Sequence, residues 1–412
     1  MSSSEILSLS SLLDPAVLAQ PHDLYRRFQE RDQVSWDPLF RAWIITRYKD
    51  CLDALQQLSS ARAPKAGIFT KAGLEELEPV ARILGQQMIN VDPPDHTRLR
   101  QAYTSAFRQN QIEILRGKIY KKANQLIDEL QAAGKADIVE DFAGKLPVML
   151  ISDIFGFPAE DFSKLKAWAF DFSRLLGNVH YSKSNAASLA NSAAELVKYL
   201  RSALADPNVI KNSTLIESLF GSVIDRQKIS EDEYIANCII TLVGGTETIT
   251  TLISGGLFLI LKNQYLKRVL IDILEDEPEV PDYFLEEILR FEPPTQYTSR
   301  IVPSGKKFTL GSTVMNEGDL VLIVLAAANR DPSRFSQPNT FNPNREDNRH
   351  LSFGWGQHFC FGAHLARMEA QISLSLLLKR LGNLSLASGA PVWRENLPIR
   401  TLSSLHVSFD KC

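Results

Sequence analysis

The chain has 412 residues, 44% of them hydrophobic and 23% charged, and its 45 Lys and Arg against 48 Asp and Glu give a formal net charge of −3. This composition excludes a disordered, collagen-like or coiled-coil chain, and the near-neutral balance excludes a dominant nucleic-acid footprint. Four scattered cysteines, Cys51, Cys238, Cys360 and Cys412, are too few for a disulfide framework and point to a reducing compartment.

The N-terminus, MSSSEILSLSSLLDP, has no basic region ahead of an apolar run. It reads as neither a signal peptide nor a membrane anchor, and residues 1–20 are expected to be a flexible segment. No other stretch reaches about 18 unbroken apolar residues, so a soluble, cytoplasmic protein is expected. RAWIITRY at 41–48 reads as a strand, and 62–79 reads as irregular chain. From 94 to 265 apolar residues recur at helical spacing, as in Ile119, Ala123, Leu126 and Leu130. Ser230 and Glu233 form a capping box that starts a helix over 231–261, about 46 Å long at about 1.5 Å per residue. A second helix, 282–292, ends at Pro293-Pro294. Short β runs follow over 296–325, then a Pro- and Asn-rich loop over 329–350, a helix over 363–381 and a strand pair near 401–409. The expected fold is mainly α with a small β portion, forming one domain over 1–412.

The strongest chemical signal is Phe353-Gly354-Trp355-Gly356-Gln357-His358-Phe359-Cys360-Phe361-Gly362. Three glycines within nine residues allow positive φ and close approach of another body to the backbone. Cys360 lies just before a helix start, where free amides and the dipole favour a thiolate. No CxxC or His cluster surrounds it, which argues against a structural zinc site. One thiolate ligand beside a glycine-lined flat surface suits a haem iron. A lone buried structural cysteine is the simpler alternative, but it leaves the other nine residues unexplained.

In the middle of the long helix lies Val243-Gly244-Gly245-Thr246-Glu247-Thr248. Adjacent glycines cost about 1–2 kcal/mol relative to alanines in a helix interior. A site that needs a kink has reason to accept that cost. His96 and Arg100 fall one turn apart after Asp92-Pro93-Pro94, and Glu287 and Arg290 stand at i and i+3.

The ten-residue string resembles the haem-binding signature of the cytochrome P450 family, Phe-Gly-x-Gly-x-His-x-Cys-x-Gly, with every defined position filled. The other motifs occur in that family's order, so the resemblance covers nearly the whole chain. It implies the single-domain cytochrome P450 fold, with a long central helix over the haem. It implies that Cys360 ligates the iron of haem b and that Phe353, Gly354, Gly362 and Gly244 lie against the cofactor. His96, Arg100, Arg300 and His358 would contact its propionates, whereas Arg98 and Arg108 match no such position and read as surface. Glu247 and Thr248 correspond to an acid–alcohol pair for proton delivery, with Glu247 linking to solvent. Glu287, Arg290 and Arg345 correspond to a buried network that locks the cysteine loop. Substrate contacts would come from Ile68, Phe69, Phe172 within the 170–176 stretch, Ile240, Val243, Gly244, Thr295, Thr298 and Leu402. Cys51, Cys238 and Cys412 are left as inert.

The resemblance further implies a monomeric monooxygenase acting on a hydrophobic small molecule, free or carried on a protein, plausibly in natural-product biosynthesis. Its electrons would come from NAD(P)H through a separate ferredoxin- or flavodoxin-type donor and its reductase. No nucleic acid and no membrane is expected as a partner. A peroxide-driven oxygenase and a haem-based gas sensor or carrier stay open as alternatives, and the Glu247–Thr248 pair favours the monooxygenase.

Overall fold

The computed structural model describes residues 7–104, 107, 109–177, 183–213, 229–387, 389 and 391–411. The chain divides into two compact units, one of Met1–Arg62, Asp282–Cys360 and Trp393–Thr401, the other of Ala63–Pro281, Phe361–Val392 and Leu402–Cys412. Each draws on three separated stretches of sequence, so neither is marked off by a linker.

The first unit carries a four-stranded sheet in the spatial order Val34–Asp37, Ala42–Ile45, Leu320–Ile323, Thr298–Ile301. The outer pairings are antiparallel, and the central one is parallel, with Ile44 opposite Leu322. Alternate side chains leave a strand on opposite faces. Ile45, Val321 and Ile323 therefore join Leu55, Leu58 and Leu351 in one core, while Ile44 and Leu322 join Leu12, Tyr25 and Phe28 in another. The expectation of a flexible stretch over residues 1–20 is corrected from Leu7 onward. Ser8 donates its hydroxyl to buried Asp37 at 2.9 Å, and Arg400 donates to the Leu18 and Ala19 carbonyls at 2.9 and 2.7 Å. Residues 1–6 lie outside the described residues.

The second unit is mainly helical. Helix Ala363–Arg380 packs against Gln109–Gln131 and Glu247–Lys262, and Phe162–Gly177 packs against Lys183–Ala205 and Glu231–Gly244. Ile119, Ala123, Leu126 and Leu130 are all buried, as their spacing requires. Three details depart from the sequence reading. Gly134 takes φ 68°, and the chain then forms a strand, Lys135–Asp137, inside the stretch expected to be helical. The closing strands do not form their own pair, because His406–Ser408 pairs with Lys135–Asp137 and Ser385–Leu386. Short helices, Ile68–Lys71 and Glu78–Gly85, occupy the segment expected to be irregular. The long apolar stretch Glu231–Lys262 meets a membrane span's length and hydropathy, yet 78% of its most apolar window is buried inside the protein, as in a core helix.

Candidate active site

The cysteine loop belongs to the first unit. Gly354 and Gly356 take φ of 70° and 73°, conformations that β-carbon-bearing residues adopt only under strain. Between them and the cysteine a single 3-10 turn, Gly356–His358, reverses the chain, and the Cys360 amide then donates to the Phe353 carbonyl at 2.9 Å. The cysteine is only partly buried, and Trp355 and Phe359 beside it are exposed. Cys51 and Cys238 differ from it, being buried so deeply that their thiols are pushed well up, that of Cys238 to about 12. Cys412 lies outside the described residues.

The network expected to brace this loop is assembled. Glu287 and Arg290 are both 0% exposed and form a two-pronged pair at 2.7 Å. Glu287 also accepts from Arg345 Nε at 3.3 Å, from Asn348 Nδ2 at 3.2 Å and from the Asn342 amide at 2.7 Å. Sequence reasoning missed the member that connects this network to the loop. Asn329 is fully buried, its carbonyl accepts from Arg290 Nη1 at 2.9 Å, and its side chain bonds Ser352 Oγ at 2.8 Å and the Leu351 amide at 2.7 Å. Glu292 was missed as well; it accepts from Arg400 at 2.5 Å and Arg330 at 3.5 Å. In the same unit, Thr298 and Arg300 lie on one face of their strand, and Arg300 donates to the Thr298 hydroxyl at 3.3 Å.

In the second unit the long helix is two helices, Glu231–Gly244 and Glu247–Lys262. The capping box at its start is present, and Arg98, expected at the surface, is half-buried and pairs with the boxed Glu233 at 2.5 Å. Arg108 lies outside the described residues. At the break, the Thr246 amide bonds back only to Val243 at 3.3 Å. Hydroxyls occupy the released carbonyls, Thr246 Oγ1 on Leu242 at 2.5 Å and Thr248 Oγ1 on Gly244 at 2.6 Å. The two glycines serve different ends. A β-carbon on Gly245 would fall 2.8 Å from Ile151 Cδ1 and 2.9 Å from the Thr241 carbonyl, whereas one on Gly244 would meet no atom within 4 Å.

Glu247 departs from the expected link to solvent. It is buried and accepts a hydrogen bond from the hydroxyl of Ser173, on helix Phe162–Gly177. Only an unremarkable helical spacing could have pointed to Ser173. His96 is also buried, and burial together with the neighbouring Arg100 charge holds its imidazole below the usual histidine range. Among the expected substrate contacts, Ile68 (48% exposed) and Gly244 face open space, Ile240 and Val243 are buried, and Phe172 and Leu402 are packed interior at 1% exposed. Thr295 is half-buried and pairs with Ile399.

The exposed aromatics flanking Cys360 give the cysteine loop apolar surface suited to a flat group with one protein ligand. Among the described residues no group of three or more His, Cys, Asp or Glu side chains is placed to hold a metal ion.

Comparison with known proteins agrees with this geometry. The cytochrome P450 family's sequence pattern matches residues 278–392. The polyketide biosynthesis cytochrome P450 PksS of Bacillus subtilis (strain 168) is 34% identical over 95% of this chain and 96% of its own. Cytochrome P450 107B1 of Saccharopolyspora erythraea is 33% identical over 96% of each. Among solved structures, P450BioI in complex with hexadec-9Z-enoic acid ligated acyl carrier protein superposes with a TM-score of 0.86 at 28% identity, over 96% of this chain and all of the other. With the cysteine loop, the broken helix and relatives at this identity over nearly its full length, the chain belongs to the cytochrome P450 family, the haem-dependent monooxygenases.

Proposed function

We propose that this protein is a haem-thiolate monooxygenase that inserts one oxygen atom into a hydrophobic small molecule, drawing NAD(P)H electrons through a separate ferredoxin- or flavodoxin-type donor. The observation that carries the reading is the half-buried Cys360, held in its loop by the hydrogen bond from its amide to the Phe353 carbonyl. When bound, the haem supplies dioxygen activation, and a thiolate ligand favours O–O cleavage.

The protein's own residues have separable tasks. Cys360 supplies the thiolate, and Glu287, Arg290 and Arg345 hold its loop in place. His96, Arg100, Arg300 and His358 offer donors for the cofactor's carboxylates. Thr248 holds a proton at Oγ1, which now rests on the Gly244 carbonyl at 2.6 Å. Glu247 resupplies it from a buried position beside Ser173. Proton transfer by positioned groups contributes about 10²–10⁴-fold. A peroxide-driven oxygenase or a gas carrier has no need of this pair.

A substrate delivered on a carrier protein is supported by one observation, the likeness to P450BioI bound to an acyl-ligated carrier protein. The likeness to PksS supports a place in natural-product biosynthesis. The burial of the long apolar helix supports its being a core helix of a soluble protein rather than a membrane span.

The first test is the carbon monoxide spectrum of the reduced protein, which must show the red-shifted thiolate band. Cys360→Ser abolishes it. NAD(P)H consumption with a ferredoxin and its reductase, coupled to product, then separates the monooxygenase from its two alternatives.

A further inference from the structure

The segment that carries Ile68 and Phe69 is hinged at both ends and clasped by one carboxylate. Residues 68–71 form a single helical turn between Gly67 (φ 79°) and Gly73 (φ 68°). A β-carbon on Gly67 would meet nothing within 4 Å, so its backbone angle, not crowding, calls for glycine. Glu78 opens the next helix, Glu78–Gly85, and reaches back across the turn. Its Oε2 accepts from the Gly67 amide at 3.0 Å. Its Oε1 accepts from the Thr70 amide at 2.8 Å and the Thr70 hydroxyl at 3.1 Å. Amides in the first turn of a helix have no partner within it, so this carboxylate meets a demand the turn cannot meet itself. The donated amides, Thr70 first and Gly67 second, hold the Glu78 carboxyl below its ordinary range.

The two sides of the clasp are unequally anchored. Helix Glu78–Gly85 buries Val80, Ala81 and Leu84 and packs against Lys183–Ala205 and Glu231–Gly244. The turn buries Phe69 but leaves Ile68 exposed. A short piece with one apolar anchor, a glycine at each end, one carboxylate clasp and single backbone bonds across the glycines (Ile68 amide to Lys65 carbonyl, 3.1 Å; Leu74 amide to Phe69 carbonyl, 2.8 Å) is built to swing on a fixed base.

We propose that Glu78 is a latch for a hinged flap, Gly67–Gly73, and that it sets how fast bulky hydrophobic ligands enter and leave. The inference rests on the reading above that Ile68 and Phe69 meet the substrate. Glu78 touches no ligand; it is a positioning residue. Closed, the latch holds Ile68 at one location; released, the turn pivots about its glycines and the ligand path widens.

The test uses full-length holoprotein carrying Glu78→Ala or Glu78→Gln. Hydrogen–deuterium exchange of peptides spanning residues 64–74 should rise about tenfold or more in Glu78→Ala. Peptides from the rest of Glu78–Gly85 should be unchanged. Glu78→Gln keeps one acceptor oxygen and should fall between wild type and Glu78→Ala. Dissociation of a bulky azole, clotrimazole, should speed up several-fold in the same order, while that of imidazole stays constant. Unchanged exchange overturns the latch. Lost protection with clotrimazole and imidazole rates moving together, or neither moving, overturns the gate. A wild-type protein without the red-shifted carbon monoxide band sinks the haem reading and the gate with it, whereas exchange of the 64–74 peptides reports on the clasp by itself.

Discussion

Asn329 Nδ2 donates to Ser352 Oγ at 2.8 Å, and that contact makes the buried Glu287–Arg290 pair continuous with the cysteine loop. Arg290 bonds the Asn329 carbonyl, Asn329 Oδ1 accepts from the Leu351 amide, and Ser352 Oγ donates to the Leu289 carbonyl at 2.7 Å. Phe353, the next residue, is the one whose carbonyl receives the Cys360 amide. Buried hydrogen bonds thus run from the Glu287 helix to Ser352, one residue before Phe353, whose carbonyl holds the Cys360 amide.

Asn329→Ala removes one donor and one acceptor at the centre of that line. A buried polar group left without its partner costs about 1–3 kcal/mol, and here both Ser352 Oγ and the Leu351 amide are affected. The expected loss is about 2–4 kcal/mol in urea unfolding, with reduced haem content in the purified protein. Ser352→Ala, which leaves Leu351 held, should cost less than Asn329→Ala. Equal losses in the two variants would refute the order of the line.

Glu287→Ala strands Arg290, and Arg345 with it, without a counter-charge in the interior. Breaking a buried pair by removing one partner costs about 3–5 kcal/mol. The variant should be insoluble or free of haem. Haem content equal to wild type, read from the haem-to-protein absorbance ratio, would show that the network does not brace the loop.

Much of this site was legible in the residues, for identifiable reasons. The cysteine loop could be read because its glycines and thiol sit within ten consecutive positions, and the helix break because Gly244-Gly245 contradicts helical propensity locally. Asn329, Glu292 and Ser173 could not be read. Each acts through a partner far along the chain, and nothing in the local pattern of Ala327-Ala328-Asn329-Arg330 or of helix Phe162–Gly177 marks one polar residue as buried. The strand Lys135–Asp137 was hidden for a similar reason, since its partner, His406–Ser408, lies about 270 positions away. Glu247 was recognised by type and misjudged in setting, because exposure depends on the helix packed over it.

Thr248→Ala removes the hydroxyl on the Gly244 carbonyl without touching a core contact, so haem content and folding should match wild type. With a ferredoxin and its reductase, NAD(P)H consumption should continue while product falls about 10–100-fold and hydrogen peroxide rises to match. Ser173→Ala should give a milder form of the same shift, since Glu247 loses the hydroxyl that donates to it. Unchanged product per NAD(P)H in Thr248→Ala would remove Thr248 from proton delivery.

Glu369, on helix Ala363–Arg380, sets a pH dependence of stability. Its side chain is 1% exposed, its Oε1 has no hydrogen-bond partner among the described residues, and burial pushes its carboxyl well above the ordinary range. The folded protein therefore keeps Glu369 protonated where the unfolded chain, with a carboxyl near pKa 4.3, has released the proton. The folded-state value is the raised one, so the stabilising contribution is complete below about pH 4.3 and declines as pH rises toward it. The decline is up to about 1.4 kcal/mol per pH unit. Glu369→Gln keeps the shape and cannot ionise in either state. It should match wild type near pH 4 and exceed it increasingly as pH rises above about 5 toward the raised folded-state value, read as the difference between the two proteins in urea midpoints at each pH. A difference that stays constant across that range would mean Glu369 is ionised in the folded protein.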